Sequence, residues 1–175
     1  RSPLTIVGTD IFWENHTESL EGHKFDLITH NKKYQVETPL LGTHQMENAC
    51  VAVGMIESMT EDGLDINAHH IEEGLKNVRW PCRMELIRKD PNLLLDGAHT
   101  SHSAKRLREA VLNLFPSSQL ILVVGLQTNK DLQGVVNELS YLKPDLVIAT
   151  KSRHPKAMTP DVIASKFKSL GFETI

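Results

Sequence analysis

The chain has 175 residues, 40% of them hydrophobic and 23% charged, with a formal net charge of −3; this is the composition of a globular protein of one or two small domains. So small a negative balance gives no basis for nucleic-acid or membrane-surface binding, and no apolar run approaches the ~20 residues a spanning helix needs. Aromatic residues make up only 5%, so the core must rest on Leu, Ile, Val and Ala.

Along the chain, Arg1-Ser2-Pro3-Leu4 lacks the apolar stretch of a secretory signal. Leu4–Gly8 is short and β-branched and reads as a strand. Phe25–Thr29 and Tyr34–Thr38 read as strands around a hairpin turn at His30-Asn31-Lys32-Lys33. Gly42-Thr43-His44 opens a helix with Met46, Ala49, Val53, Ile56 and Met59 at helical spacing, ended by Glu61-Asp62-Gly63. A second helix is predicted over Ala68–Asn77, with Asn67 as its cap. Val78-Arg79-Trp80-Pro81 is the linker candidate.

Beyond it, strands at Met84–Ile87, Leu93–Leu95, Leu120–Val124 and Leu146–Ala149 are interleaved with helices at Ser101–Leu114 and Leu132–Leu142. The leucines at 93–95 read as a buried strand. Thr159 and Pro160 supply an N-cap and an N1 proline for a helix to about Leu170, with Gly171 at C′. The alternation predicts an α/β fold with a mostly parallel sheet and right-handed crossovers. Cys50 and Cys82 form no metal-type spacing and read as reduced thiols in an intracellular protein. The missing initial Met and the strand-like Gly171-Phe172-Glu173-Thr174-Ile175 lead to the expectation of an internal piece of a longer protein.

Five places carry chemistry. Asp96-Gly97-Ala98-His99 lies at a strand-to-helix turn, where open α/β sheets bind ligands next to a helix N-terminus. Asp96 either accepts ribose hydroxyls or only caps the turn; His99 either meets an anion or is a solvated loop residue. Arg83 has the geometry to hold phosphate oxygens, or it pairs with Glu85 on the surface. Asn48 lies one turn after His44 and offers a donor and an acceptor to a base, or is a plain surface amide. Lys130 in Gly125–Asp131, and Lys151, Arg153 and Lys156 in Thr150–Lys156, place cations at strand-end loops that either suit an anionic substrate or are ordinary solvated loops. His99-x-x-His102 and His69-His70 lack the context of a zinc motif, so no metal ligand is assigned. No G-x-x-x-x-G-K-[ST] occurs, so a phosphate-loop nucleotide site is not completed by these residues alone.

Gly42-Thr43-His44-Gln45-Met46-Glu47-Asn48-Ala49 resembles the G-x-H-Q-x-x-N-A motif of the folylpolyglutamate and dihydrofolate synthases in the Mur ligase superfamily. Trp80-Pro81-Cys82-Arg83-Met84-Glu85 is similar to their W-P-G-R-x-E segment. Leu95–His99 with His102-Ser103-Ala104 resembles L-D-G-A-H-N-x-H-S-A, and His154-Pro155-Lys156-Ala157 resembles H-P-R-A. Together the matches span about residues 42–157. Departures are Cys82 for the glycine before the arginine, Thr100-Ser101 for the usual asparagine and its neighbour, and no acidic residue before Lys130.

The resemblance implies that residues 1–78 are the C-terminal part of a central ATP-binding domain, including its β-hairpin and helical tail. Residues 82–175 would be a Rossmann-like Mur ligase C-terminal domain, truncated. It implies ATP-dependent ligation of L-glutamate to a folate or pteroate carboxylate through an acyl phosphate, with ATP and Mg²⁺ as cofactors and the metal ligands mainly upstream. Transferred residue by residue, Asn48 would contact adenine, Arg83 the ATP phosphates and Asp96 the ribose. His99 would be catalytic, near the incoming glutamate or the acyl phosphate, and Lys130 and Ser103 would bind substrate. The expected partners are L-glutamate and a folate or dihydropteroate, with no nucleic acid or membrane, in a monomer of the cytoplasm or an organelle matrix. The piece alone is expected to be inactive. Two alternatives remain: another Mur-type amide ligase, or a non-catalytic nucleotide-binding α/β domain.

Overall fold

The computed structural model describes residues 4–61, 63 and 65–175. They form two compact units, the first running to Asp96 and the second covering Gly97–Ile175.

In the first unit, β1 (Phe12–Ser19), β2 (Gly22–Ile28) and β3 (Lys33–Thr38) make an antiparallel sheet in that order. β2 and β3 alternate cleanly, with Phe25, Leu27, Tyr34 and Val36 buried on one face. Against them pack α1 (His44–Glu61), through Met46, Cys50 and Val53, and α2 (Ala68–Lys76), through Ile71. Asn67 caps α2 as the sequence indicates, its side chain accepting from the His70 amide at 3.1 Å. The expected strand at Leu4–Gly8 reduces to one isolated bridge, Val7 with Ile11. β1 is not anticipated by the sequence. Asn15 sits at φ 52° and the register slips between Glu14 and Thr17, so a bulge erases the period-2 pattern.

The unit closes with β4 (Glu85–Lys89) and β5 (Asn92–Leu95), paired antiparallel. Two expectations are corrected here. The two strands form a hairpin rather than joining a parallel alternation. Leu93 and Leu95 are 44% and 37% exposed, not buried, because among the described residues β5 has only β4 as a strand partner.

The second unit starts with α3 (Ser101–Leu114) and alternates through β6 (Ile121–Val124), α4 (Leu132–Ser140), β7 (Leu146–Ala149) and α5 (Pro160–Lys168). β6 and β7 pair in parallel, and Thr174 adds a parallel bridge to Val147. A parallel pair whose crossover is a helix is the βαβ unit of Rossmann-like folds. Ala104, Val135, Val136, Val147, Ile163 and Phe167 form its core, close to fully buried. Pro160 occupies the first turn of α5 as expected, but the Thr159 hydroxyl makes no capping bond. That helix is capped at Ser169, so Gly171, left-handed at φ 87°, lies two residues past the C-cap and not at the expected C′ position.

Candidate functional site

In the first unit the sequence-derived residues gather around Met84. The Met84 amide donates to Asp96 Oδ2 at 2.9 Å, tying the residue before β4 to the residue after β5. Arg83, next along the chain, lays its guanidinium over the Trp80 ring at 5.7 Å. Among the described residues it forms no ion pair with Glu85, whose carboxylate instead accepts the Cys82 amide at 2.9 Å. Cys82 and Met84 both adopt left-handed backbone, at φ 57° and 47°. The cysteine therefore keeps a conformation natural to the glycine it stands in for. Trp80, Arg83 and Met84 line a concavity of about 680 Å³ with Lys76 and Arg79, so its wall carries three cations beside the carboxylates of Glu21 and Glu85.

The turn before α1 borders the same residue. A Cβ built on Gly42 would lie 2.8 Å from the His44 ring and 3.2 Å from Met84 Sδ, so a side chain there would crowd both, on backbone (φ 92°) that already favours glycine. From His44 a side-chain chain runs along the helix start. The Gln45 amide contacts His44 Nε2 at 3.0 Å, and Asn48 Nδ2 donates to Gln45 Oε1 at 2.9 Å. Asn48 is exposed while Gln45 is buried, so the buried amide orients the exposed one.

In the second unit, Thr100 and Ser103 form a reciprocal capping box at the start of α3. The Ser103 hydroxyl also accepts the His99 amide at 3.1 Å, so its lone pairs serve the turn. His99 Nδ1 donates to the Gly97 carbonyl at 2.8 Å. With Nδ1 as the donor, Nε2 is left outside that bond, and the ring is exposed. Lys130 lies between β6 and α4, just before Asp131, which caps α4 through the Gly134 amide at 2.9 Å. The starts of α3 and α4 are neighbours: a Cβ on Gly134 would come within 2.9 Å of Ser101 Cβ. The loop after β7 joins this end. Thr128 donates to the Lys156 carbonyl at 2.9 Å, and Gln127 bridges Ala157. Lys130, Lys151, Arg153 and Lys156 thus stand on two stapled loops at the carboxyl ends of β6 and β7, and none forms an ion pair among the described residues.

Sequence reasoning missed one polar cluster. His23 is 1% exposed, its Nδ1 lies 3.0 Å from His16 Nε2, and its Nε2 faces Glu18 Oε1 at 3.5 Å. Burial, followed by the neighbouring His16, pushes its pKa down to about 4. Only the pairing of β1 with β2 brings these groups together, and β1 carries no signal in the sequence. Among the described residues no group of three or more His, Cys, Asp or Glu could hold a metal ion, and no helix is long and apolar enough to cross a membrane. Both cysteines are free, Cys50 buried and Cys82 exposed.

The first unit thus carries a helix-start donor and acceptor and an arginine turn fastened to a strand-end aspartate, and the second a βαβ unit with cations at its strand ends, the end at which open α/β sheets bind ligands. The family model for "Mur ligase, glutamate ligase domain" matches residues 82–175, and the chain belongs to that family, on its folylpolyglutamate/dihydrofolate synthase branch. A probable bifunctional folylpolyglutamate synthase/dihydropteroate synthase of Halobacterium salinarum is 34% identical over 92% of this chain and 18% of its own length. A dihydrofolate synthase/folylpolyglutamate synthase of Bacillus subtilis is 30% identical over 69% of this chain and 29% of its own length. The chain therefore spans less than a third of either relative. The folylpolyglutamate synthase of Mycobacterium tuberculosis, solved with ADP and AMPPCP, superposes with a TM-score of 0.86 at 23% identity, covering 97% of this chain and 39% of that one.

Proposed function

We propose that the protein containing these residues ligates L-glutamate to a folate or pteroate carboxylate at the expense of ATP. The observation that carries this is the family match over 82–175, a span that includes Arg83, Asp96, His99, Ser103 and Lys130. The folylpolyglutamate and dihydrofolate synthases among its relatives support the substrate class. In domain terms, residues 1–78 are the C-terminal part of the ATP-binding domain and 82–175 the ligase domain.

The reaction passes the γ-phosphoryl group of ATP to the acceptor carboxylate and releases ADP. The glutamate amine then attacks the acyl carbon, the C–O bond to phosphate breaks, and the amine loses a proton. Every reactant is anionic, so donors and cations directed at the developing charge do most of the work. Asn48 has one N–H committed to Gln45, leaving its carbonyl and second N–H for the adenine edge. Arg83, stacked on Trp80, meets the phosphates. Asp96 takes ribose hydroxyls while its Oδ2 keeps the Met84 amide. His99, with its Nε2 outside the Gly97 bond, is placed to accept the proton of the attacking amine. Lys130 pairs with a glutamate carboxylate, and Ser103 acts mainly by shaping the His99 turn. A divalent cation supplies charge neutralisation for ATP phosphates; no described residue is assigned to it. Residues 1–175 contain no glycine-rich phosphate loop and by themselves do not ligate glutamate.

The test is a substrate screen on the full-length protein with ATP and labelled glutamate. Ligation to dihydropteroate or folate supports the proposal. Ligation only to nucleotide-linked muramyl precursors selects a cell-wall Mur ligase, and ATP binding without ligation selects a binding domain.

A further inference from the structure

Met84 has no role in the motifs above, yet it touches each part of the first-unit site. Its amide holds Asp96, its sulfur sits over Gly42 beside the His44 ring, and it is the neighbour of Arg83. It is 2% exposed and left-handed at φ 47°. A non-glycine residue keeps that backbone only where its surroundings hold it. Here the holders are the Asp96 carboxylate on one side and the glycine floor on the other. Three segments distant in sequence, 42–48, 80–84 and 96, thereby meet at one residue. Each of them carries one of the residues proposed for the nucleotide.

We infer that Met84 is a positioning residue for nucleotide binding, fixing the Arg83 turn against Asp96 and against the start of the Asn48 helix. A buried methionine that only filled space would touch its neighbours through its side chain. This one uses backbone and side chain on two different segments, and it carries a proposed phosphate ligand at the adjoining position. Its unbranched thioether suits an irregular seat over a bare glycine. When the side chain is removed, the amide bond to Asp96 can persist, but the turn loses its stop against Gly42. The guanidinium then samples positions off the phosphates, and binding sites tolerate such displacement poorly.

The inference rests on the nucleotide roles proposed for Asn48, Arg83 and Asp96, and the experiment separates the two. ATP affinity is measured by calorimetry on the full-length protein, as wild type, Met84→Ala, Met84→Leu, Arg83→Ala and the Arg83→Ala/Met84→Ala double variant. Met84→Ala is expected to weaken ATP binding about tenfold, and Met84→Leu to recover it to within about threefold. In ligation assays KM for glutamate should move less than about twofold in both. The double variant should bind more tightly than the product of the single effects predicts, because the two act through one guanidinium. Met84→Cys, a milder truncation expected to cost about threefold, replaces Met84→Ala if the latter does not fold. A folded truncation with ATP affinity within about twofold of wild type, or fully multiplicative single effects, overturns the inference. Absence of ATP binding in the wild type overturns the nucleotide roles themselves.

Discussion

Met84 and Asp96, twelve residues apart, are joined by a 2.9 Å bond from the backbone amide of one to the carboxylate of the other. The bond closes the ends of the β4–β5 hairpin and leaves Arg83 on the turn it secures. Asp96 is consequently structural as well as the proposed ribose ligand. Asp96→Ala strands a partly buried amide and should cost about 1–3 kcal/mol, whereas Asp96→Asn keeps an acceptor oxygen and should cost under about 1 kcal/mol. Urea unfolding of both variants checks this; equal losses would show that the amide bond is not what matters.

Cys82 offers a test in the opposite direction. At φ 57° it occupies backbone that glycine enters without steric cost, and its own amide is already bonded to Glu85. Cys82→Gly should raise the unfolding free energy by up to about 1 kcal/mol, and Cys82→Val should lower it by a similar amount or more. Thermal unfolding of the two variants reads the sign directly.

Gly134 reverses the usual helix rule. Alanine is favoured over glycine inside helices by about 1 kcal/mol. At this position, though, a Cβ would come within 2.9 Å of Ser101 Cβ and also collide with the Asp131 carboxylate that caps α4. Gly134→Ala should therefore destabilise the protein by about 1–3 kcal/mol. Because Lys130 and His99 sit at these two helix starts, it should also impair ligation. A more stable variant would contradict the contact between α3 and α4.

His23 makes stability depend on pH. Its folded pKa is about 4 against 6.5 for the free side chain, so between those values the unfolded chain binds more protons. Stability from this residue is fully present above about pH 6.5 and falls as pH drops toward 4, by as much as roughly 3 kcal/mol. Unfolding free energies from pH 7.5 to 4 should show this slope, and His23→Gln should flatten it.

Much of this was legible in advance where the chain obeys local rules. The helices, the cap at Asn67 and the strand Leu146–Ala149 follow from periodicity and turn chemistry. β1 was not legible, because the bulge at Asn15 breaks its alternation. Nor was the exposure of Leu93 and Leu95, since an apolar run does not say how many neighbours a strand will have. For the site, the motif residues were visible but their connections were not. The bond from Met84 to Asp96 and the glycine floor at position 42 depend on left-handed backbone and on contacts between distant segments, which no spacing encodes.

The most direct measurement is ATP-dependent transfer of labelled glutamate to dihydropteroate and to folate by the full-length protein, with Arg83→Ala and His99→Ala assayed beside it. The account predicts amide product and phosphate in equal amounts from the wild type. It also predicts losses of about a hundredfold or more in kcat/KM for each variant, with Arg83→Ala raising KM for ATP and His99→Ala lowering kcat. A wild type that ligates neither acceptor, or variants that ligate as well as it does, would contradict it.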